Sequence, residues 1–464
     1  MRQLLTLFAA LLLFVDTSAA QQAKYVFLFI GDGLGINQIH GTELYNAVVH
    51  KDMANGGRLS FTRFPVRSYV SSHSASSLVT DSSAAGTAIA SGVKTVNGYM
   101  GVDANKKSVK NIAEVAAEIG MMTGVATNVG VNHATPCAFY AHNESRDNYG
   151  DLFNQLLESP IDFAAGSTIL YKKREGLLPK DYVERAKAAG MKVLQDPAAA
   201  GRVRGKRVLL LSDSLSRKAL RFATDCTEKD PTIVDFTASA IKYFEREAKD
   251  SGFFLMVEAG HIDYSCHDND AVTTFEEINH LSESVQLALD FYEKHPEETL
   301  IIVTADHETG GMTLGYDHYK MNFERLAYQK CSLESLTRQM QHMRKIGKTS
   351  WEDMVALLKE QLGFWDYVKL RSKDEVALRK TFDKNFLKNG EKVVGLYTSN
   401  EKMASVAVKI LNTRAYIKWI DLAHTGMPVP LFVKGVGYEQ FLECYDNTDI
   451  PKIIAKIMGS ELQN

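Results

Sequence analysis

Three short apolar runs in this chain end on acids. Tyr25 to Ile30 leads into Gly31-Asp32-Gly33, Phe253 to Val257 into Glu258, and Thr299 to Thr304 into Ala305-Asp306-His307. Runs of this length, rich in Val, Ile, Leu and Phe, read as strands covered on both faces. Open α/β sheets bind ligands beyond the carboxyl ends of their strands, and carboxylates gathered there repel one another unless cations neutralise them. Asp263 and His267 stand four apart and so share one face of a helical turn, while His424 precedes Thr425-Gly426. Asp, Glu and neutral His suit Zn²⁺, and carboxylates with hydroxyls suit Mg²⁺. Each residue alone is weak evidence: an Asp after a strand is more often a helix cap, and a single His more often a surface or hydrogen-bonded residue. The weight lies in the set.

Two nucleotide readings fail on spacing. Gly31-Asp32-Gly33-Leu34-Gly35 resembles the start of a dinucleotide loop, but G-x-G-x-x-G needs Gly at 36, where Ile36 stands. Gly86 to Thr95 resembles a phosphate loop, yet five residues separate Gly86 from Gly92, and Val93 precedes Lys94.

The elements that must position these residues alternate. Val208 to Leu211 is a further buried-strand run, and Ser108 to Ile119 and Phe275 to Tyr292 have helical periodicity with charges on one side. Strands alternating with helices imply an α/β layer sandwich. From Met312 to about Asn389 the chain is rich in Lys, Arg, Glu, Gln and Leu, carries Trp351 and Trp365, and reads as mainly helical. Strand character returns at Val393 to Tyr397 and at Pro430 to Val433. The expected organisation is an α/β catalytic domain over 21–311 and 390–464, interrupted by a helical insertion over 312–389. No internal repeat is evident.

Composition sets outer limits. Of 464 residues, 45% are hydrophobic and 23% charged, ordinary for a globular enzyme, and the net charge of -3 provides no basic face for nucleic acid. Met1-Arg2-Gln3, the apolar run Leu4 to Val15 and the small residues Thr17-Ser18-Ala19-Ala20 read as a signal peptide over 1–20. The run is too short to span a bilayer comfortably, and the C-terminal residues lack the hydrophobic tail of a lipid-anchor signal. An exported protein without a stable membrane anchor is therefore expected, with a bacterial periplasm the best fit. The five cysteines show no C-x-x-C spacing, and their odd number leaves at least one thiol unpaired within a chain.

Taken together, the motifs resemble those of the alkaline phosphatase family. Val79-Thr80-Asp81-Ser82-Ser83-Ala84-Ala85-Gly86-Thr87-Ala88 and its continuation Gly92-Val93-Lys94-Thr95-Val96-Asn97-Gly98 are similar to that family's nucleophile segment. His133-Ala134-Thr135-Pro136, Ser145-Arg146, Glu258 with Asp263 and His267, Thr304 to Gly311, and His424-Thr425-Gly426 follow in the family's order. The resemblance runs from about residue 25 to 435, outside the helical insertion. It implies a large, mostly parallel sheet between helical layers, and hydrolysis of small phosphate monoesters. It assigns Asp32, Asp306 and His307 to one zinc, and Asp263, His267 and His424 to a second. Asp32, Thr135 and Glu258 would hold magnesium. Ser82 would be the nucleophile that is transiently phosphorylated, and Arg146 the clamp on the phosphoryl oxygens, as suits its planar fork of donors. Asp81 either positions Arg146 or a water, or caps the helix starting near Ser82. Family members are usually dimeric; the long insertion leaves assembly open, with a homodimer the family's expectation.

The chain departs from the family pattern in places. His133 stands where some bacterial members carry Asp, Tyr264 where relatives commonly carry Lys or His, and Ser83 where Ala is usual. The first two bear on magnesium affinity and pH optimum. Cys266, beside His267, reads as a buried thiol rather than a ligand. Rival readings are a phosphodiesterase or sulfatase of the same superfamily, or an exported phosphate- or metal-binding protein without activity. Arg146, Thr135 and Glu258 favour a terminal, dianionic phosphoryl group, and an intact Ser82 favours an enzyme.

Overall fold

A computed structural model describes residues 22–173, 176–212, 219–317, 319–388, 390–394 and 396–464. The expected signal peptide lies outside the described residues. Nine strands form the main sheet: β1 (Tyr25–Gly31), β2 (Val66–Val70), β3 (Met122–Thr127), β4 (Phe163–Gly166), β5 (Lys192–Leu194), β6 (Val208–Leu211), β7 (Phe253–Ala259), β8 (Thr299–Thr304) and β9 (Val429–Gly435). Their order is β2-β9-β8-β1-β7-β3-β4-β6-β5. The sheet is mostly parallel; β9 runs antiparallel to both β2 and β8.

The three acid-bearing runs are the centre of this sheet. β1 lies between β7 and β8, with Ile30 in register with both Glu258 and Thr304. Parallel pairing in that register sets their carboxyl ends side by side. Every residue of β1, β7 and β8 is buried, which is why these segments are continuous apolar runs rather than alternating ones. Glu258 was expected just beyond its strand and instead sits within it, because β7 runs on to Ala259.

Helices cover the sheet. Ile233–Glu247 and Ala271–Tyr292 pack on each other and against the central strands, and Ile112–Glu118 packs against β3 and β7. The helix expected over Ser108 to Ile119 starts at Ile112 because Asn111 caps it, accepting from the Ala113 and Glu114 N–H groups. That expected from Phe275 starts four residues earlier, at Ala271, capped by Asp270. Phe27, Phe253 and Phe291 meet edge to face beneath these helices, the arrangement that aromatic quadrupoles favour.

A second apolar cluster gathers Leu333–Lys345, Trp351–Leu362 and Ser372–Thr381 around Lys402–Ala415, with Leu336, Met340, Leu358 and Leu411 fully buried. Tyr45 and Phe275 carry this cluster to the helices of the main sheet. The strand character expected at Val393 to Tyr397 belongs to a small antiparallel hairpin, Lys392–Val394 with Ser399–Glu401, outside the main sheet; Leu396 and Tyr397 lie at its turn. All five cysteines are free, and Cys266 is buried.

Helix-to-sheet packing is tight at Gly124 in β3. A Cβ there would lie 2.7 Å from the Phe244 ring of Ile233–Glu247. Gly124→Val is expected to destabilise the protein by about 1–3 kcal/mol through overpacking. Thermal unfolding should show a lower midpoint, with metal content at the wild-type level in the surviving native fraction; an unchanged midpoint would mean the helix yields freely.

Candidate metal centre and active site

Buried polar atoms without hydrogen-bond partners converge at the carboxyl ends of β1, β7 and β8. Among them are both Asp32 carboxylate oxygens, Glu258 Oε1, Asp263 Oδ2, Asp306 Oδ2, Thr135 Oγ1, and the Nε2 atoms of His267 and His424. Buried polar groups are ordinarily paired, so a concentration of this kind has the donor set and the need for cations. Among the described residues, three groups have ligand atoms close enough to share one ion: Asp32/Asp306/His307, Asp263/His267/His424, and Asp32/His133/Glu258. Asp32 belongs to two of them. Thr135 lies two residues from His133, fully buried in the short helix Ala134–Cys137.

Local structure aims each side chain. Asp263 and His267 lie on the helix His261–His267, four apart as the spacing required, with Nε2 of His267 3.2 Å from Asp263 Oδ2. Gly33 lets Asp263 come close: its φ is +76°, and a Cβ would lie 2.8 Å from Asp263 Cα. Gly33 N–H and His307 N–H both donate to Asp306 Oδ1, at 3.2 and 2.9 Å. His424 arrives on a two-residue ladder in which it pairs with Thr309.

The outer hydrogen bonds orient the imidazoles. His267 Nδ1 donates to the Leu422 carbonyl, and His424 Nδ1 donates to the Thr80 carbonyl at 3.0 Å. Thr309 Oγ1 donates to Asp263 and so accepts from His307 Nδ1, 3.2 Å away. Each ring therefore spends its Nδ1 proton outward and turns Nε2 inward, the nitrogen left to ligate a metal when the imidazole is neutral. Nε2 of His307 stands 3.2 Å from Asp306 Oδ2 and 3.5 Å from Asp32 Oδ1.

Electrostatics reflect the crowding. Burial, then repulsion from Asp306, Asp263 and Glu258, raises the Asp32 carboxyl well above the usual range. Burial and Asp263 push Asp306 up to about 7. Burial would also raise Asp263, but His267, His424 and His307 hold it well below the ordinary carboxylate range. His267 rises to about 9 because Asp263 outweighs its own desolvation; His307 is pushed well below its ordinary value by burial and by His424. A divalent cation relieves the repulsion among the carboxylates.

Ser82 opens the buried helix Ser82–Ser91, with its Oγ 3.2 Å from His307 Nε2. Asp81 performs both of its expected tasks. Its Oδ1 accepts from the Ala84 N–H at 3.0 Å as the helix cap, and its Oδ2 accepts from Arg146 at 3.1 Å and from Ser83 Oγ at 2.6 Å. Ser83 is thereby committed to the cap, leaving Ser82 as the serine that faces the histidine. The Arg146 side chain is 21% exposed, and its guanidinium also donates to the Tyr397 hydroxyl at 3.4 Å.

Tyr397 was not singled out in the sequence. Its ring stacks on Tyr264 at 4.0 Å and approaches His133 and His267 at 5.8 and 5.6 Å. No motif surrounds it; the hairpin that carries it was legible only as strand character. The feature that places it is the tertiary contact.

Comparison with known proteins follows the same lines. The family model for alkaline phosphatase matches residues 23–169 and 172–460. Alkaline phosphatase 4 of Bacillus subtilis is 31% identical over 449 residues, covering 94% of this chain and 89% of that protein. The alkaline phosphatase of Escherichia coli is 30% identical over 347 residues, covering 63% and 71%. Among solved structures, the cold-active alkaline phosphatase of a psychrophilic Shewanella superposes with a TM-score of 0.78 at 26% identity, covering 94% of this chain and 99% of that one.

Stripping divalent cations should leave the buried carboxylates facing one another. Because a ligand at a thousand times its Kd stabilises the native state by about 4 kcal/mol, chelation is expected to lower the calorimetric unfolding midpoint by several degrees, and restoring cations to reverse it. Identical traces with and without chelator would show that the three groups hold no cation.

Proposed function

Because this chain belongs to the alkaline phosphatase family, whose members are metal-dependent hydrolases of phosphate monoesters, we propose that it works through a phosphoserine formed on Ser82. The observation that carries this reading is the position of Ser82 Oγ, buried at a helix N-terminus and within 3.2 Å of His307 in the first ligand group. Asp32, Asp306 and His307 hold one Zn²⁺, Asp263, His267 and His424 a second, and Asp32, Thr135 and Glu258 an Mg²⁺, with His133 beside it. Nitrogen and oxygen donors suit zinc in the first two sets, and the all-oxygen third suits magnesium. Bound cations supply the positive charge that lowers hydroxyl and water pKa values and stabilises a departing alkoxide.

The chain's own residues do the rest. The helix N-terminus at Ser82 favours a dianionic phosphoryl group. Arg146, steadied by Asp81 and Tyr397, donates to two phosphoryl oxygens from one planar fork. Burial opposes the charge on Arg146, but Tyr397 and Asp81 outweigh it and raise its pKa. Ser82 Oγ attacks phosphorus as the ester P–O bond breaks and the alcohol leaves with a proton. Water then attacks phosphorus, Ser82 Oγ departs, and inorganic phosphate is released. The sum is monoester plus water giving alcohol plus phosphate. Diester and sulfate substrates serve as controls; faster turnover of either than of a monoester would replace this reading.

Ser82→Ala is expected to lower turnover roughly a thousandfold or more while leaving metal content near wild type, since residual rate comes from the remaining groups. Acid-quenched enzyme incubated with radiolabelled monoester should carry label in wild type and Ser83→Ala, and none in Ser82→Ala. Label retained in Ser82→Ala would shift the nucleophile elsewhere.

Arg146→Ala separates clamp from ligand. It should weaken inhibition by inorganic phosphate about tenfold or more, through lost charge-assisted hydrogen bonds, with zinc retained. His424→Ala should lose zinc as well as rate, read by elemental analysis. Equal zinc loss in both would remove Arg146 from the clamp role.

A further inference from the structure

Ser82 lies against one end of a row of histidines whose other end, with Val79, Thr80 and Asp81, lines the mouth of the site. Ser82 Oγ touches His307, the His424 ring stacks on His307 at 3.5 Å, and the His267 ring follows at 5.1 Å. Beyond His424 and His267 opens a cavity of about 460 Å³, whose walls include Val79, Val394, Leu396 and Leu422. Ser82 does not line it. An in-line displacement sends the leaving oxygen away from the nucleophile, so the substituent on that oxygen projects past His424 and His267 into this cavity.

The cavity's chemistry is uneven. Val394 and Leu396 are 73% and 61% exposed, and Ile420, next to the lining residue Asp421, is 77% exposed. Solvent-exposed aliphatic side chains clustered at an opening mark a binding surface. The carboxylates on its wall are Asp81, which is already paired with Arg146, and Asp421, with no lysine or arginine among the described lining residues. A second phosphate or a carboxylate on the leaving group would meet Asp421 on a wall that offers it no lysine or arginine among the described lining residues.

The apolar wall is also held in place. Val394 and Leu396 come from the hairpin at residues 392–401, which is tied down beside the site. Thr398 Oγ1 and Asn400 Nδ2 both donate to Asp268, the residue after His267, the latter at 2.8 Å. Tyr397, between Leu396 and Thr398, is stacked on Tyr264. The hairpin is therefore anchored beside His267 through Tyr397, Thr398 and Asn400, and Val394 and Leu396 share the cavity wall with that histidine.

We propose that Val394 and Leu396 of this hairpin, with Val79 and Leu422, form a leaving-group subsite that selects phosphate monoesters of uncharged, apolar alcohols. The subsite rests on the proposed direction of displacement from Ser82, and it assigns the hairpin a role in substrate choice. Alkyl chains of increasing length report it cleanly, because ethyl and hexyl esters carry the same charge and nearly the same leaving-group basicity.

The test uses metal-loaded full-length protein and two matched series. Non-hydrolysable alkylphosphonates, ethyl to hexyl, are titrated by calorimetry; alkyl phosphates of the same lengths are assayed for phosphate release. Hexylphosphonate is expected to bind about tenfold more tightly than ethylphosphonate, as four methylenes partly leave water, and kcat/KM should rise in parallel. Leu396→Asp and Val394→Ser should flatten both series. Equal Kd values across the phosphonates would overturn the subsite whatever the activity. A length dependence that survives both substitutions would overturn its placement at the hairpin. A flat phosphonate series with Leu396→Asp converting a dimer to a monomer by light scattering would also overturn it, the face then being a contact between copies. Failure to release phosphate from every ester, despite graded phosphonate binding, would instead sink the phosphatase mechanism and leave the subsite standing.

Discussion

Asp32, Glu258, Asp263 and Asp306 are all fully buried within one small volume, and much of the surrounding architecture follows from that repulsion. Like charges at low local dielectric cost several kcal/mol per pair unless positive charge intervenes. Three of the four acids are set there by the parallel register of β8, β1 and β7, the most deeply buried part of the sheet. The sheet's stability and the site's electrostatic demand therefore come from the same strands. A sheet that buries carboxylates at this point requires cations as part of its packing, just as it requires the phenylalanines beneath.

A layer of hydrogen bonds converts that demand into a defined geometry. The Leu422 and Thr80 carbonyls and the Thr309 hydroxyl each engage a histidine Nδ1, so the three Nε2 atoms face inward together. Leu422 and Thr80 are far apart in sequence and belong to loops on the rim of the site. The same loops line the cavity beyond His424. Orientation of the ligands and shape of the mouth are thus coupled, and a change in either loop reaches both.

Asp81 shows how one side chain can unite local and long-range order. Burial opposes its ionisation, but Arg146, Ser83 and the Ala84 and Gly98 N–H groups together hold its carboxyl below the ordinary value. It caps the helix that starts at Ser82 and anchors the arginine that would grip a phosphoryl group. Capping and positioning had stood as alternatives for this residue. The two carboxylate oxygens allow both, since each accepts from a different direction.

The residues with the strongest local pattern were legible from the chain alone. The strand runs ending at Asp32, Glu258 and Asp306 follow from burial on both faces, and the Asp263–His267 spacing follows from helical periodicity; both are short-range consequences of residue type. Helix starts at Ile112 and Ala271 were displaced from the expected ones because capping by Asn111 and Asp270 overrides the periodicity at the ends. Composition read the stretch after Met312 as mainly helical, where Leu333–Lys345, Trp351–Leu362 and Ser372–Thr381 are helices, and the hairpin that follows was legible only as strand character. Tyr397 reaches Tyr264 and Arg146 only after the chain has crossed more than a hundred residues, and no spacing rule spans that distance. Likewise, the apolar mouth is made of Val79, Val394, Leu396 and Leu422, four ordinary aliphatics with no shared motif. Sequence determined which groups are fitted for metal and phosphoryl chemistry, because that fitness depends on residue type. Tertiary structure alone decided what surrounds them, because packing joins residues that are neighbours only in space.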